Sequence, residues 1–184
     1  KDRGASILVS KIKELGIKQV VEDSSGNAGA AIAAYCAKAG IECHIYVPEK
    51  TSSGKLLQIE RYGAYLHKIN GSRKDTAYTA EQQAKTMYYA SHSWNPYFFH
   101  GTKTFIFEIV EQLGWTAPDI LLVPVGNGTL LNGAFLGLKE LQHEKIIDKL
   151  PRIIGVQAEN CAPIADAWKN RGELGGYTTT KETI

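Results

Sequence analysis

No stretch of this sequence stays apolar over the roughly 20 residues that a membrane span requires. Nothing near Lys1 has the basic, apolar and small-residue order of a secretory signal. A dominant charge is missing too. The 21 basic and 19 acidic residues are interspersed, the net charge is +2, and no basic stripe marks a nucleic-acid surface. Cysteine is scarce: Cys36, Cys43 and Cys161 form neither a CxxC pair nor an even set. That excludes a disulfide framework and points to reduced thiols in a cytoplasmic protein. His44, His67, His92, His100 and His143 lack metal-ligand spacing, so no metal is expected.

What remains is a chain with 43% hydrophobic and 22% charged residues, too apolar for disorder and ordinary for a globular fold. Its 184 residues suffice for one large α/β domain or two small ones sharing a cleft. The first residue is Lys1 rather than Met, no element leads into Lys1-Asp2-Arg3-Gly4, and Thr178–Ile184 closes no element. A fragment of a longer protein is expected.

Apolar runs alternate with helical spacing throughout. Ile7, Leu8, Ile12 and Leu15 predict a helix over 5–15 that stops at Gly16. Residues 18–23 read as a strand, 28–39 as a helix ended by Gly40, and 43–47 as a strand closed by Pro48. A helix over 53–62, a strand over 64–69 and a long polar-faced helix over 74–90 follow. The segment 91–101 is punctuated by Asn95-Pro96 and Gly101 and reads as a loop, the best candidate for a junction between lobes. Beyond it come a helix over 102–113, a strand over 120–125, a helix over about 130–147 and a strand over 152–157. Near-continuous apolar strands in β-α-β-α order predict a parallel sheet flanked by helices.

In such sheets, ligands lie beyond the carboxyl ends of strands, where loops meet helix N-termini. Two loops fit: Ser24-Ser25-Gly26-Asn27-Ala28-Gly29, and Gly126-Asn127-Gly128-Thr129. The first aims backbone N–H groups and the positive end of a helix dipole at its occupant, which suits a carboxylate or phosphate. Neither loop matches GxGxxG, and the second lacks the lysine of a P-loop, so a dinucleotide or nucleoside-triphosphate site is not expected.

Taken in order, Lys1-Asp2-Arg3-Gly4, Ser24–Gly29, Gly101-Thr102-Lys103-Thr104 and Pro124-Val125-Gly126-Asn127-Gly128-Thr129 resemble the fold-type II pyridoxal-phosphate enzymes, and among them most the threonine synthases. Threonine dehydratases usually carry an apolar residue after the lysine and a histidine after Gly-Asn, where this chain has Asp2 and Ala28. The resemblance implies that Lys1 carries pyridoxal 5'-phosphate as a Schiff base and, once released, moves protons on the substrate. It implies that Asn27 hydrogen-bonds the cofactor's ring hydroxyl, and that Ser24, Ser25, Gly26, Asn27 and Ala28 take the substrate carboxylate. Gly126, Asn127, Gly128, Thr129 and Leu130 would cradle the cofactor phosphate, and Lys103 would contact substrate.

The resemblance further implies a homodimer with two lobes. A small lobe over 12–99 carries the carboxylate loop, and 1–11 with 100–184 belong to the large one. The partner of the pyridine nitrogen would lie beyond Ile184. One departure stands out. Threonine synthases commonly place an arginine shortly after Asn-Pro-aromatic, and in Asn95-Pro96-Tyr97-Phe98 that place is Phe98. The expected activity is a lyase converting O-phosphohomoserine and water to threonine and phosphate. A serine or threonine dehydratase and a non-catalytic anion-binding domain remain as alternatives.

Overall fold

β1 (Gln19–Glu22) is buried from Val20 onward, which requires cover on both of its faces. The computed structural model, which describes residues 1–170, supplies that cover from either side. Val20 faces a core shared with Leu8, Val9 and Ile12 of α1 (Asp2–Glu14) and with Ile32 and Cys36 of α2 (Asn27–Ala39). Val21, one residue on, faces Tyr46 and Ala80 instead, as the two-residue period of a strand demands. Cys43, Ile45 and Val47 of β2 (Glu42–Pro48) join the first core, together with Leu56 and Ile59 of α3 (Ser53–Arg61).

β3 (Tyr65–Ile69) pairs parallel with β2, and β4 (Tyr88–Tyr89) pairs parallel with β1, giving the order β3-β2-β1-β4. α4 (Arg73–Gln83) covers the second face, and α5 (Pro96–Thr102) packs on α1. These elements make up one unit, Lys1–Thr104. The second unit begins at Phe105, just inside α6 (Thr104–Gln112). It holds β5 (Ile120–Pro124) paired parallel with β6 (Arg152–Val156), α7 (Thr129–His143) and α8 (Pro163–Asn170). Its own core gathers Ile106, Val110, Val123, Ala134 and Leu138. The parallel, helix-flanked α/β architecture is the expected one. Cys36 and Cys43 are small core residues, and all three cysteines are free thiols.

Two expected elements are corrected. The helix anticipated over 74–90 ends at Gln83, and Tyr88–Tyr89 become β4. Val20↔Tyr88 and Val21↔Tyr89 pair, and Ala90 N–H donates to the Val21 carbonyl at 2.9 Å, so the open edge of β1 captures a segment that helical spacing alone would have kept. The segment 91–101 is only in part a loop. Asn95 Oδ1 accepts from Tyr97 N–H at 3.1 Å and Pro96 takes the first helical position, so Asn-Pro starts α5. Helix α8 was not anticipated. The chain end at Thr178–Ile184 lies outside the described residues.

Candidate active site

Lys1 caps the N-terminus of α1, where its carbonyl accepts from Ala5 N–H at 3.0 Å. Its amine stands over the Phe98 ring, 5.8 Å from the centroid. Phe98 is buried and lies against Gly4, where a Cβ would come within 2.4 Å of the ring. Burial makes the Lys1 amine less basic than an ordinary lysine, and the charge of Glu22 works against that shift. A lysine that loses its proton more readily is a better nucleophile near neutral pH.

The Ser24–Gly29 loop connects the carboxyl end of β1 to α2. Gly26 is the N-cap in extended backbone and offers no side chain to the first turn, whose N–H groups point out of the helix. Gly26 N–H itself is engaged by Ser24 Oγ at 3.3 Å. The loop folds tightly onto the helix: a Cβ on Gly29 would stand 1.9 Å from the Ser24 carbonyl oxygen, so only glycine permits this turn. Ser24 and Ser25 are half-buried, Ala28 is buried and Asn27 is exposed. Asp2, next to Lys1, lines one cleft of about 120 Å³ with Asn27, Gln58 and Tyr62.

Within the first unit, then, Asp2, beside Lys1, and Asn27 of the Ser24–Gly29 loop line the same cleft, and Lys103 closes α5 as a half-buried residue. Glu22, Asp23, Tyr89 and His92 also meet here, though no role was expected of them. Asp23 takes Arg73 Nη2 at 2.6 Å and the Tyr89 hydroxyl at 2.9 Å. Glu22 Oε1 meets His92 Nδ1 at 2.6 Å. The available signal was an acidic pair ending an apolar strand, since carboxylates there are rarely buried without a purpose.

In the second unit, Gly128 has φ 88°, a left-handed conformation that favours glycine, and caps α7. Asn127 Oδ1 accepts from Thr129 N–H at 3.2 Å and from Thr129 Oγ1 at 2.6 Å. Thr129 is buried, Leu130 half-buried, and Gly126 faces open space where a Cβ would stand. Gln157, another residue without an expected role, braces the loop. Its Nε2 donates to the Val125 carbonyl at 3.2 Å, while its Oε1 accepts from Ile164 and Ala165 N–H, each at 3.0 Å.

Residues 1–183 match the family model described as "Pyridoxal-phosphate dependent enzyme". The chain belongs to this family. A protein named "Threonine synthase" from Methanocaldococcus jannaschii is 39% identical over 175 residues, spanning 94% of this chain and 43% of that protein. The chain therefore spans less than half the length of this curated relative. Among solved structures, a pyridoxal 5'-phosphate-dependent aspartate racemase superposes with TM-score 0.80 at 26% identity, over 95% of this chain and 52% of that one. Maize serine racemase superposes with TM-score 0.84 at 24% identity, over 98% and 53%, a likeness of fold. The fold is accordingly fold type II.

The residues of this pyridoxal-phosphate-dependent chain suit the cofactor. Lys1 offers a primary amine of lowered basicity, the first turn of α2 has no side-chain cap, and the Gly126–Thr129 turn leaves space at a helix N-terminus. Among the described residues no group of three or more His, Cys, Asp or Glu is arranged to hold a metal ion. None of the described helices is long and apolar enough to cross a membrane.

Proposed function

We propose that the enzyme carrying this chain is a pyridoxal-phosphate-dependent lyase of the threonine-synthase kind, which converts O-phosphohomoserine and water to threonine and phosphate. The main support is Lys1: a lysine of lowered basicity, at the position matching the family's Schiff-base lysine, in a chain 39% identical to a threonine synthase. Pyridoxal phosphate, when bound, supplies an electron sink for charge that develops on the substrate carbons. Lys1 Nζ would hold it, and as a free amine would move protons on the substrate. Asn27 orients the cofactor ring through its hydroxyl. Ser24, Ser25, Gly26, Asn27 and Ala28 receive the amino acid's carboxylate, aided by the positive end of α2. Gly126, Asn127, Gly128, Thr129 and Leu130 hold the cofactor phosphate, and Lys103 contacts substrate.

The complete enzyme is inferred to be a cytoplasmic homodimer acting on a small amino acid. Its small lobe over 12–99 would close onto a body that includes 1–11 and 100–184. A second reading, a serine or threonine dehydratase, is favoured by Phe98. That side chain is 1% exposed and wedged against Gly4, so it presents no donor to a substrate phosphate.

Full-length enzyme assayed with O-phosphohomoserine and with L-threonine separates the two. Phosphate release from the first supports the synthase, whereas 2-oxobutyrate from the second overturns it. Borohydride reduction followed by peptide mass spectrometry should place the cofactor on Lys1; finding it on another lysine removes the assignment. Lack of absorbance at about 410–430 nm with added cofactor would point to a non-catalytic anion-binding domain.

A further inference from the structure

Glu22 ends β1 and is wholly withdrawn from solvent. A carboxyl so placed needs partners for both oxygens, because a buried acceptor left unpaired costs about 1–3 kcal/mol. Asp23, its neighbour, has both of its own, from Arg73 and Tyr89. Glu22 has one. Its Oε1 meets His92 Nδ1 at 2.6 Å, while Oε2 has no hydrogen-bond partner. Native structures rarely leave such an atom unpaired unless something else approaches it.

Phe98 connects this pair to Lys1. The His92 ring meets the Phe98 ring edge-on with centroids 6.1 Å apart, and the Lys1 amine stands 5.8 Å from the centroid of the same ring. The charged and titratable groups around Glu22 are His92, Asp23, Arg73, Lys1, Cys43 and Tyr89. The Glu22 carboxyl is raised above the ordinary carboxylate range. Burial, the largest cause, pushes it up, the hydrogen bond and charge of His92 pull it down, Asp23 pushes it up and Arg73 pulls it down. A cation at the unpaired Oε2 would favour its charged form. Of the nearby cations, Arg73 already holds Asp23 at 2.6 Å. Lys1 is the cation that burial disfavours and Glu22 supports.

We propose that Glu22, oriented by His92, is the counter-charge of Lys1, and that its unpartnered Oε2 is the acceptor onto which the Lys1 ammonium closes. Glu22 is thus a positioning residue that acts through Lys1, a role that rests on the function given to Lys1 above. No covalent bond changes in this step. The ammonium keeps its proton while it faces the carboxylate and releases it to solvent once that charge is gone.

The test uses full-length protein freed of cofactor, with acylation of Lys1 by an amine-directed reagent followed by peptide mass spectrometry at several pH values. Lys13 and Lys18 serve as internal controls. In Glu22→Gln, loss of the counter-charge should raise the Lys1 labelling rate about three- to tenfold near about pH 8, since one pKa unit is tenfold in the neutral fraction. Glu22→Asp keeps the charge and should stay near wild type. His92→Asn loosens the carboxylate and should move labelling in the same direction as Glu22→Gln, which keeps the test available if the glutamine variant does not fold.

An unchanged Lys1 rate in Glu22→Gln overturns the proposal. Equal changes in Glu22→Gln and Glu22→Asp overturn it too, because they report altered packing rather than charge. Borohydride trapping of the cofactor on a different lysine would refute the catalytic role of Lys1 instead, and labelling without cofactor reads the counter-charge independently of it.

Discussion

Replacing Phe98 by alanine should do more damage to the first unit than any other single truncation in it. Among the described residues Phe98 is the largest fully buried side chain, its ring fills the space above Gly4 of α1, and it carries the Lys1 amine on its face and the His92 ring at its edge. Deleting a buried phenyl ring costs about 3–5 kcal/mol through lost burial and the cavity left behind. Losing the amine–ring contact adds about 0.5–1 kcal/mol. Against a net stability of about 5–15 kcal/mol for a domain, the first unit would keep little reserve.

With a urea dependence of about 2–3 kcal/mol per M, the unfolding midpoint should fall by about 1–3 M. Far-ultraviolet circular dichroism would follow the midpoint. Hydrogen exchange would report where protection is lost, with α1 and α5 amides exchanging first. Phe98→Leu keeps most of the volume and should lose only about 1 kcal/mol. A midpoint shift below about 0.5 M for Phe98→Ala, with α1 amides still protected, would refute the idea that this ring pins α1 to α5.

Removing the Tyr89 hydroxyl in Tyr89→Phe should cost about 1–3 kcal/mol, because buried Asp23 then keeps only Arg73; thermal unfolding at neutral pH measures it. The same phenol is held well above the ordinary tyrosine range by burial and by Asp23. The folded state therefore keeps this proton at pH values where the unfolded chain has lost it, so stability should fall as pH rises beyond about 10. In Tyr89→Phe that alkaline fall should be shallower, and equal slopes would count against the assignment. Gly29→Ala places a methyl group 1.9 Å from the Ser24 carbonyl oxygen and should open the turn. Amino-acid binding to the cofactor-loaded enzyme, followed by absorbance, should weaken at least about tenfold, with the sheet still intact by circular dichroism. Gln157→Ala cuts the tie between the Val125 carbonyl and the first turn of α8. Faster hydrogen exchange at Ile164 and Ala165 is expected, and unchanged protection would show that the glutamine is dispensable.

Most of the fold was legible because its signals are local. Val20 and Val21 of β1, Cys43 to Val47 of β2 and Leu121 to Val123 of β5 are apolar runs bounded by turn residues, and each became a strand within two residues of the expected limits. The Ser24–Gly29 and Gly126–Thr129 turns were legible for a similar reason. Glycine beside small polar residues, between a strand and a helix, leaves few other backbone solutions. Tyr88–Tyr89 were misread because their place beside Val20 and Val21 depends on an edge supplied from far earlier in the chain. Asn95-Pro96 was read as punctuation although its hydrogen bond makes it a helix start, a local signal given the wrong weight.

The sequence by itself determined the succession of strands and helices, the two glycine turns and the pyridoxal-phosphate family, since each depends on residues a few positions apart or on their order along the chain. Only the tertiary structure decided that Phe98 is a buried wedge, that Tyr89 and Arg73 share Asp23, and that His92 clamps Glu22 at 2.6 Å while one carboxyl oxygen stays unpaired. The reason is physical. Periodicity and turn chemistry act through neighbouring dihedrals and the nearest hydrogen bonds, which the order of residues specifies directly. Whether a carboxyl is buried, and what it meets there, depends on which distant side chains the packed sheet and its helices bring against it.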